Sequence, residues 1–352
     1  MSDSAIVIGA GIIGTSIAWR LAQQGLRVTL IDAGKAGGEA SWAGAGMLAP
    51  GGEISQWNHW AEFTLHSHSL YSNFVDELRQ ESGCSIDYVQ NGAIEIAETE
   101  AEWIALNDRA ERQRGWGILS TAVPYKDTAG ALFFPEDAIV DPREVLQSLL
   151  AACRSRGVIL HEGLPATAIH AEADSLTVET PTGRISADVG VLAAGAWSGA
   201  IPLDSGRLPG SFPVRGHLIG YRIEPGVCRT ILRNGETYLL QRSNGFLIAG
   251  TSTENAGFDR NIDPAIVADI ARRAESLLPR LRDAAAPEAW LGFRPRADAH
   301  QPQIGRFAGS NLWLAYGHYR NGILLAPATA ERVSGQITST EGMDSISPAG
   351  NL

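Results

Sequence analysis

Residues 5–8, Ala-Ile-Val-Ile, form a short continuous apolar run of the kind a buried parallel strand requires. They pass straight into Gly9-Ala10-Gly11-Ile12-Ile13-Gly14. Ile13, Ile17, Ala18 and Leu21 then recur at helical spacing, Gly25 sits where a helix C-cap belongs, and a second apolar run, Val28 to Ile31, ends at Asp32. Strand, helix, strand and terminal acid make one βαβ unit. A lone GxGxxG is weak evidence, but in this setting it predicts a dinucleotide site. Gly9 allows the tight turn, Gly11 lets a pyrophosphate approach the backbone, and Gly14 lets helix and sheet pack closely. The helix N-terminus supplies free N–H groups and partial positive charge. Asp32 is placed to accept hydrogen bonds from ribose hydroxyls, and an acid there disfavours a 2′-phosphate. The motif does not distinguish FAD from NAD.

The remaining chain alternates between two textures. Gly34 to Gly52 is rich in small residues and has little to bury, so it reads as a loop or a helix start lying against something that fills the space. Asp141-Pro142 starts a helix with Val145, Leu146, Leu149 and Leu150 as its apolar stripe, stopped by Gly157 and followed by a strand over Val158 to Leu160. A hairpin is expected from Leu176 to Thr180 and Arg184 to Ala187, then a buried strand from Val189 to Ala193 that ends in Ala194-Gly195-Ala196-Trp197. From about Phe212, alternating strands predominate: Val214 to Ile223, Thr237 to Gln241 and Phe246 to Ala249, the last two joined by Asn244-Gly245. Asp263-Pro264 starts a further helix. Glycine-rich turns are expected from Gly292 to Gly305, a strand from Leu312 to Tyr316, a helix from about Gly322 to Ile337 with Pro327 in its first turn, and a loose polar tail after Thr338.

Composition removes several classes of function. At 352 residues, 44% hydrophobic and 19% charged, the chain has the mix of a well-packed globular protein. A net charge of -11 argues against nucleic acid, which needs a basic face. No run of about 18 apolar residues occurs, so no membrane span is expected, and no secretory leader is evident. Three scattered cysteines support neither a disulfide framework nor a zinc ribbon, and point to a reducing, cytoplasmic setting. The eight histidines show no metal-ligand spacing, so no metal is expected.

Two further constellations carry more information: Ala40-Ser41-Trp42-Ala43-Gly44-Ala45-Gly46-Met47, and Gly317-His318-Tyr319-Arg320-Asn321-Gly322-Ile323-Leu324-Leu325-Ala326-Pro327. The second opens the last helix and offers another helix N-terminus to an anionic centre. Together with GAGIIG and Gly292-Phe293-Arg294-Pro295, these segments resemble the D-amino-acid-oxidase (DAO) superfamily, within it most nearly the glycine oxidases of the thiamine-biosynthetic type. The resemblance runs from the first strand to the last helix.

The resemblance implies an α/β fold: a Rossmann-type FAD-binding domain, residues 1–80, 140–211 and 300–352, with an inserted antiparallel-sheet substrate domain, residues 81–139 and 212–299, of the DAO/glutathione-reductase-2-like kind. It implies non-covalent FAD, since relatives that attach the flavin use a cysteine near the C-terminus and none follows Cys228. The cofactor residues carried over are Gly9, Gly11, Ile12, Ile13, Gly14, Asp32, Ala33, Ala40, Ser41, Ala45, Gly46, Met47, Ala166, Gly195, His318, Tyr319, Asn321, Gly322, Ile323 and Leu324. Arg294 and Arg320 would hold a substrate carboxylate, as a planar guanidinium can through two parallel bonds, with Tyr238 beside them. The implied reaction is oxidative deamination of a small amino acid (glycine, sarcosine or D-alanine), with molecular oxygen as acceptor and hydrogen peroxide as product, in a homo-oligomer. Two positions depart from the pattern: Glu236 stands where glycine oxidases carry histidine, and Thr253 where methionine is expected. If they line the pocket, the acid favours a cationic or longer basic substrate. A dehydrogenase using another electron acceptor, and a non-catalytic flavin-binding protein, stay open as alternatives.

Overall fold

The first strand, Ser4–Ile8, is buried on both faces, and its alternation explains why. Ala5 and Val7 point into one core with Ile17, Leu21, Val145 and Leu149, whereas Ile6 and Ile8 point into another with Ile169, Leu176 and Val178. Layers on both sides are what a continuous apolar parallel strand demands. The computed structural model describes residues 2–298 and 301–339. Ser4–Ile8 lies inside a six-stranded sheet whose partners include Arg27–Ile31 and Val189–Leu192, both parallel to it. One face carries the helices Ile12–Gln23, His59–Ser82, Pro142–Ser155 and Gly322–Thr338. A three-stranded sheet containing the predicted hairpin, Leu176–Thr180 with Gly183–Ala187, covers the other.

An eight-stranded sheet forms the second half. Its strand Ser211–Arg222 alternates sharply: Leu218 packs with Tyr238, Leu240, Ile248 and Trp290, and Ile219 with Leu239, Leu247 and Ala249 on the far side. The helix Pro264–Leu277, N-capped by Asp263 through the Ala265 N–H, covers that far side with Ile270, Ala274 and Leu277. The pairing is antiparallel except where Ile231–Asn234 meets Ala93–Ala97, which run parallel. This is the seam between two distant chain segments.

Two expectations need correction. The region from Gly292 is not a series of turns: Glu288–Ala297 is a ten-residue strand, paired along its length with Ser211–Arg222. Its glycine serves close approach, because a Cβ on Gly292 would sit 2.6 Å from the Ala43 Cβ. Pro327 lies inside the last helix rather than in its first turn. Ser67 makes this tolerable. Its hydroxyl donates to the Leu324 carbonyl (2.7 Å) and accepts from the Ala328 N–H (3.2 Å), replacing the ladder bond next to the proline. The polar tail expected to be loose lies, from residue 340 on, outside the described residues.

Candidate active site

One cavity of about 580 Å³ runs between the two sheets, from the glycine turn after the first strand to the start of the last helix. On the Rossmann side it is built by backbone and by missing side chains. Gly9 turns with φ +103°, and a Cβ there would lie 2.4 Å from the Ala193 carbonyl oxygen. At Gly14 a Cβ would lie 1.9 Å from the Gly9 carbonyl oxygen, so only glycine lets the helix sit against the turn. Asp32 accepts from the Ala10 N–H (2.7 Å) and the Gly34 N–H (2.8 Å). The acid assigned to ribose therefore also pins the turn. Ser41 Oγ accepts from the Ile12 N–H at 3.0 Å, tying the small-residue segment to the helix start. That segment, read as loop or helix start, holds the short helix Ala40–Ala43, the strand Met47–Leu48 and the turn Pro50–Glu53. Buried Arg242 fixes it by donating to the carbonyls of Ala45 and Val140.

The opposite wall ends at Asn321, Gly322 and Ile323, the N-terminus of the last helix, which no side chain of its own caps. Two helix N-termini therefore open onto one crevice with bare glycine backbone between them. That construction suits an elongated anionic cofactor. His318 is buried beside it with Nε2 3.1 Å from the Thr329 hydroxyl, and burial pushes its pKa down to about 3. Tyr319 holds a left-handed φ of 49°, with its N–H bonded to the Pro295 carbonyl (2.8 Å), and so fixes the turn that carries Arg320.

The eight-stranded-sheet side is built the other way, from large side chains over a glycine floor. Four adjacent strands carry, in order, Arg294, Gly216, Gly250 and Tyr238 on the cavity face. A Cβ on Gly216 would lie 2.3 Å from the Arg294 guanidinium, and one on Gly250 2.4 Å from the Tyr238 ring. Arg294 Nη1 donates to the Ser252 carbonyl (3.0 Å) and Nη2 to Thr251 Oγ1 (2.6 Å). Desolvation, with Arg320 nearby, pushes the Arg294 guanidinium below its ordinary value, though a guanidinium stays cationic. Burial raises the Tyr238 phenol, with Arg294 and Arg320 pulling the other way, so it stays a proton donor. Arg320 Nη2 lies 3.7 Å from Glu53 Oε1. Gln113 holds Glu53's turn by donating to the carbonyls of Gly51 (2.8 Å) and Ile54 (2.7 Å).

Every residue singled out from the sequence as cofactor- or substrate-binding lines this cavity except two. Gly14 packs beneath the turn, and Leu324 is buried in the helix-side core. Glu236 and Thr253 do not line it. Both are exposed, in a neighbouring recess with Thr237, Glu254, Asp269 and Arg273. Glu236 reaches Arg294 only through its field. Sequence reasoning missed Glu53, Gly216, Gly250, Thr251 and Ser252. The signal available was a glycine inside a strand otherwise read as regular, which marks a close approach.

A family model described as DAO, FAD dependent oxidoreductase, matches residues 4–336. A glycine oxidase of Bacillus licheniformis is 30% identical over 349 residues, covering 94% of this chain and 92% of its own length. One of Pseudomonas aeruginosa is 31% identical over 377 residues, covering 100% of both. The crystal structure of glycine oxidase from Geobacillus kaustophilus superposes with a TM-score of 0.89 at 30% identity, over 96% of this chain and 94% of that one.

Proposed function

The chain belongs to the DAO family of FAD-dependent oxidoreductases, and from that premise we propose that it oxidises glycine or a near relative, sarcosine or D-alanine. The products are the 2-oxo acid, ammonia or an amine, and hydrogen peroxide. The cofactor is FAD and the chemistry is amino-acid oxidation. Bound FAD supplies a two-electron acceptor that oxygen regenerates. Gly9, Gly11, Ile12 and the segment Ala40 to Met47 would hold it at one end of the crevice, and Asn321 to Ile323 at the other. None of the cysteines lines the cavity, in keeping with non-covalent binding.

One observation carries the reading of the substrate. Among the described residues, Arg294 faces the cavity held by two neutral oxygen acceptors, the Ser252 carbonyl and the Thr251 hydroxyl, which leaves its charge for a ligand carboxylate. Arg320 and the Tyr238 hydroxyl add donors on the same face. The same cations disfavour an ammonium beside them, so bound substrate sheds its amine proton more readily and frees the lone pair. Activity is expected to rise with pH through that ionisation, and a flat profile counts against it. Free thiols at Cys84, Cys153 and Cys228 support a reducing, cytoplasmic setting. The homo-oligomer is part of the same reading, checked by light scattering.

The deciding experiment is anaerobic addition of glycine, sarcosine and D-alanine in turn while the flavin absorption band is followed. Bleaching that air reverses with peroxide release supports the proposal. A flavin that none of them bleaches removes it.

A further inference from the structure

Behind the glycine floor lies a polar cluster, buried at Arg215 and His217 and half-buried at Glu254, that the proposed reaction does not use. Arg215 and His217 are buried on the Ser211–Arg222 strand, and Glu254 follows the Phe246–Gly250 strand. Arg215 donates to Glu254 Oε2 from Nε (3.1 Å) and Nη2 (2.5 Å), and from Nη1 to Asp259 Oδ2 (2.5 Å). Glu254 Oε1 accepts from Ser252 Oγ (2.7 Å) and lies 2.8 Å from His217 Nδ1. The Asp263 N–H donates to His217 Nε2 at 3.2 Å, which places the ring hydrogen on Nδ1, facing Glu254. The His217 N–H donates to Ser252 Oγ at 2.9 Å. Each bond immobilises the segment that starts at Thr251.

That segment holds Arg294. Thr251 Oγ1 donates to the His217 carbonyl (2.9 Å), which turns its lone pairs toward Arg294 Nη2, and the Ser252 carbonyl accepts from Nη1. Glu254 is the nearest acid along the segment, and Arg215 and His217 occupy it. The cluster therefore orients the guanidinium without neutralising it. We propose that Glu254 is a positioning residue for substrate binding: with Arg215, His217 and Ser252 it locks Thr251–Ser252 so that Arg294 presents its free charge to the substrate carboxylate. This rests on the reading of Arg294 as the carboxylate anchor.

The test uses the FAD-loaded full chain with Glu254→Gln, Ser252→Ala, Arg294→Lys and the Glu254→Gln/Arg294→Lys double variant. Ser252→Ala removes the hydroxyl link but keeps the carbonyl, and serves if Glu254→Gln does not fold. Two readouts are taken: steady-state constants with glycine, and the Kd of acetate (a carboxylate with no amine to oxidise) from perturbation of the flavin band. Glu254→Gln and Ser252→Ala are expected to raise KM and the acetate Kd about tenfold, with kcat within about twofold and flavin content unchanged. On the Arg294→Lys background the Glu254→Gln effect is expected to vanish, because both act through one guanidinium. Unchanged acetate binding in both single variants, or effects that multiply fully in the double variant, overturn the proposal while leaving Arg294 as anchor. If Arg294→Lys alone leaves acetate binding unchanged, the anchor reading fails and the positioning role fails with it.

Discussion

The two halves of the cavity solve the same problem by opposite means. The Rossmann half presents backbone to the cavity. Its specific residues, Gly9, Gly11 and Gly14, act by having no side chain, and Asp32 holds the turn from 2.7 Å. The sheet half, where we place the substrate, presents side chains. Its glycines, Gly216 and Gly250, are spacers beneath Arg294 and Tyr238. Backbone N–H groups are rigid and identical, so they suit a constant cofactor. A charged side chain on a glycine floor can be re-aimed by its neighbours, so it suits a substrate that differs between relatives. The first half should fail abruptly when altered, and the second by degrees.

Gly14→Val should break the first half outright. A side chain 1.9 Å from the Gly9 carbonyl cannot be accommodated by shifting a flexible group, and overpacking of this kind costs at least the usual ~1–3 kcal/mol. The expected product is protein without a flavin band; a stoichiometric flavoprotein would end the contrast. Arg294→Met removes charge-assisted bonds worth ~1.5–3 kcal/mol each. It should lower kcat/KM by about 10²–10³-fold with flavin content intact, read by steady-state kinetics on flavin-normalised enzyme. Gly216→Ala sharpens the comparison. The three atoms nearest its Cβ would all be at the far end of Arg294, so the guanidinium should move rather than the fold break, with KM raised about tenfold and flavin unchanged. Flavin loss in this variant would mean the floor is as brittle as the glycine turn.

The smallest effect at neutral pH concerns His318. Its folded pKa of about 3 lies below the ordinary 6.5, so between those values the unfolded chain binds more protons. The stability it contributes is fully present above 6.5 and is lost as pH falls toward 3, by at most ~1.4 kcal/mol per pH unit. His318→Asn should show a shallower loss of the urea midpoint over that window. Parallel pH profiles would show that the buried imidazole does not titrate with unfolding.

How much of this was legible depended on distance along the chain. The cradle was readable because its demands are met within one βαβ unit. The turn that needs Gly9, the packing that needs Gly14 and the acid that pins them at Asp32 are near neighbours in sequence. The helix starts at Asp141-Pro142 and Asp263-Pro264 were readable for the same reason, since a cap and its N–H lie two residues apart. Arg294, Arg320 and Tyr238 were reached only through resemblance, because nothing in their own spacing relates them. Glu236 and Thr253 show the limit of that route: departures from the family pattern that would bear on substrate only if they lined the pocket, they stand in the next recess.

Local steric and hydrogen-bonding rules therefore settled the nucleotide cradle before any folding was known. The opposite face, where we place the substrate, was decided only when four strands came into register. Gly216 lies under a guanidinium from another strand, and Thr251 orients that guanidinium from across the sheet. Glu53 meets Arg320 from the far end of the chain, and Ser67 of one helix makes Pro327 of another tolerable. Such contacts join residues tens to hundreds of positions apart and leave no period or motif in the sequence. Only the packed structure brings them within bonding distance.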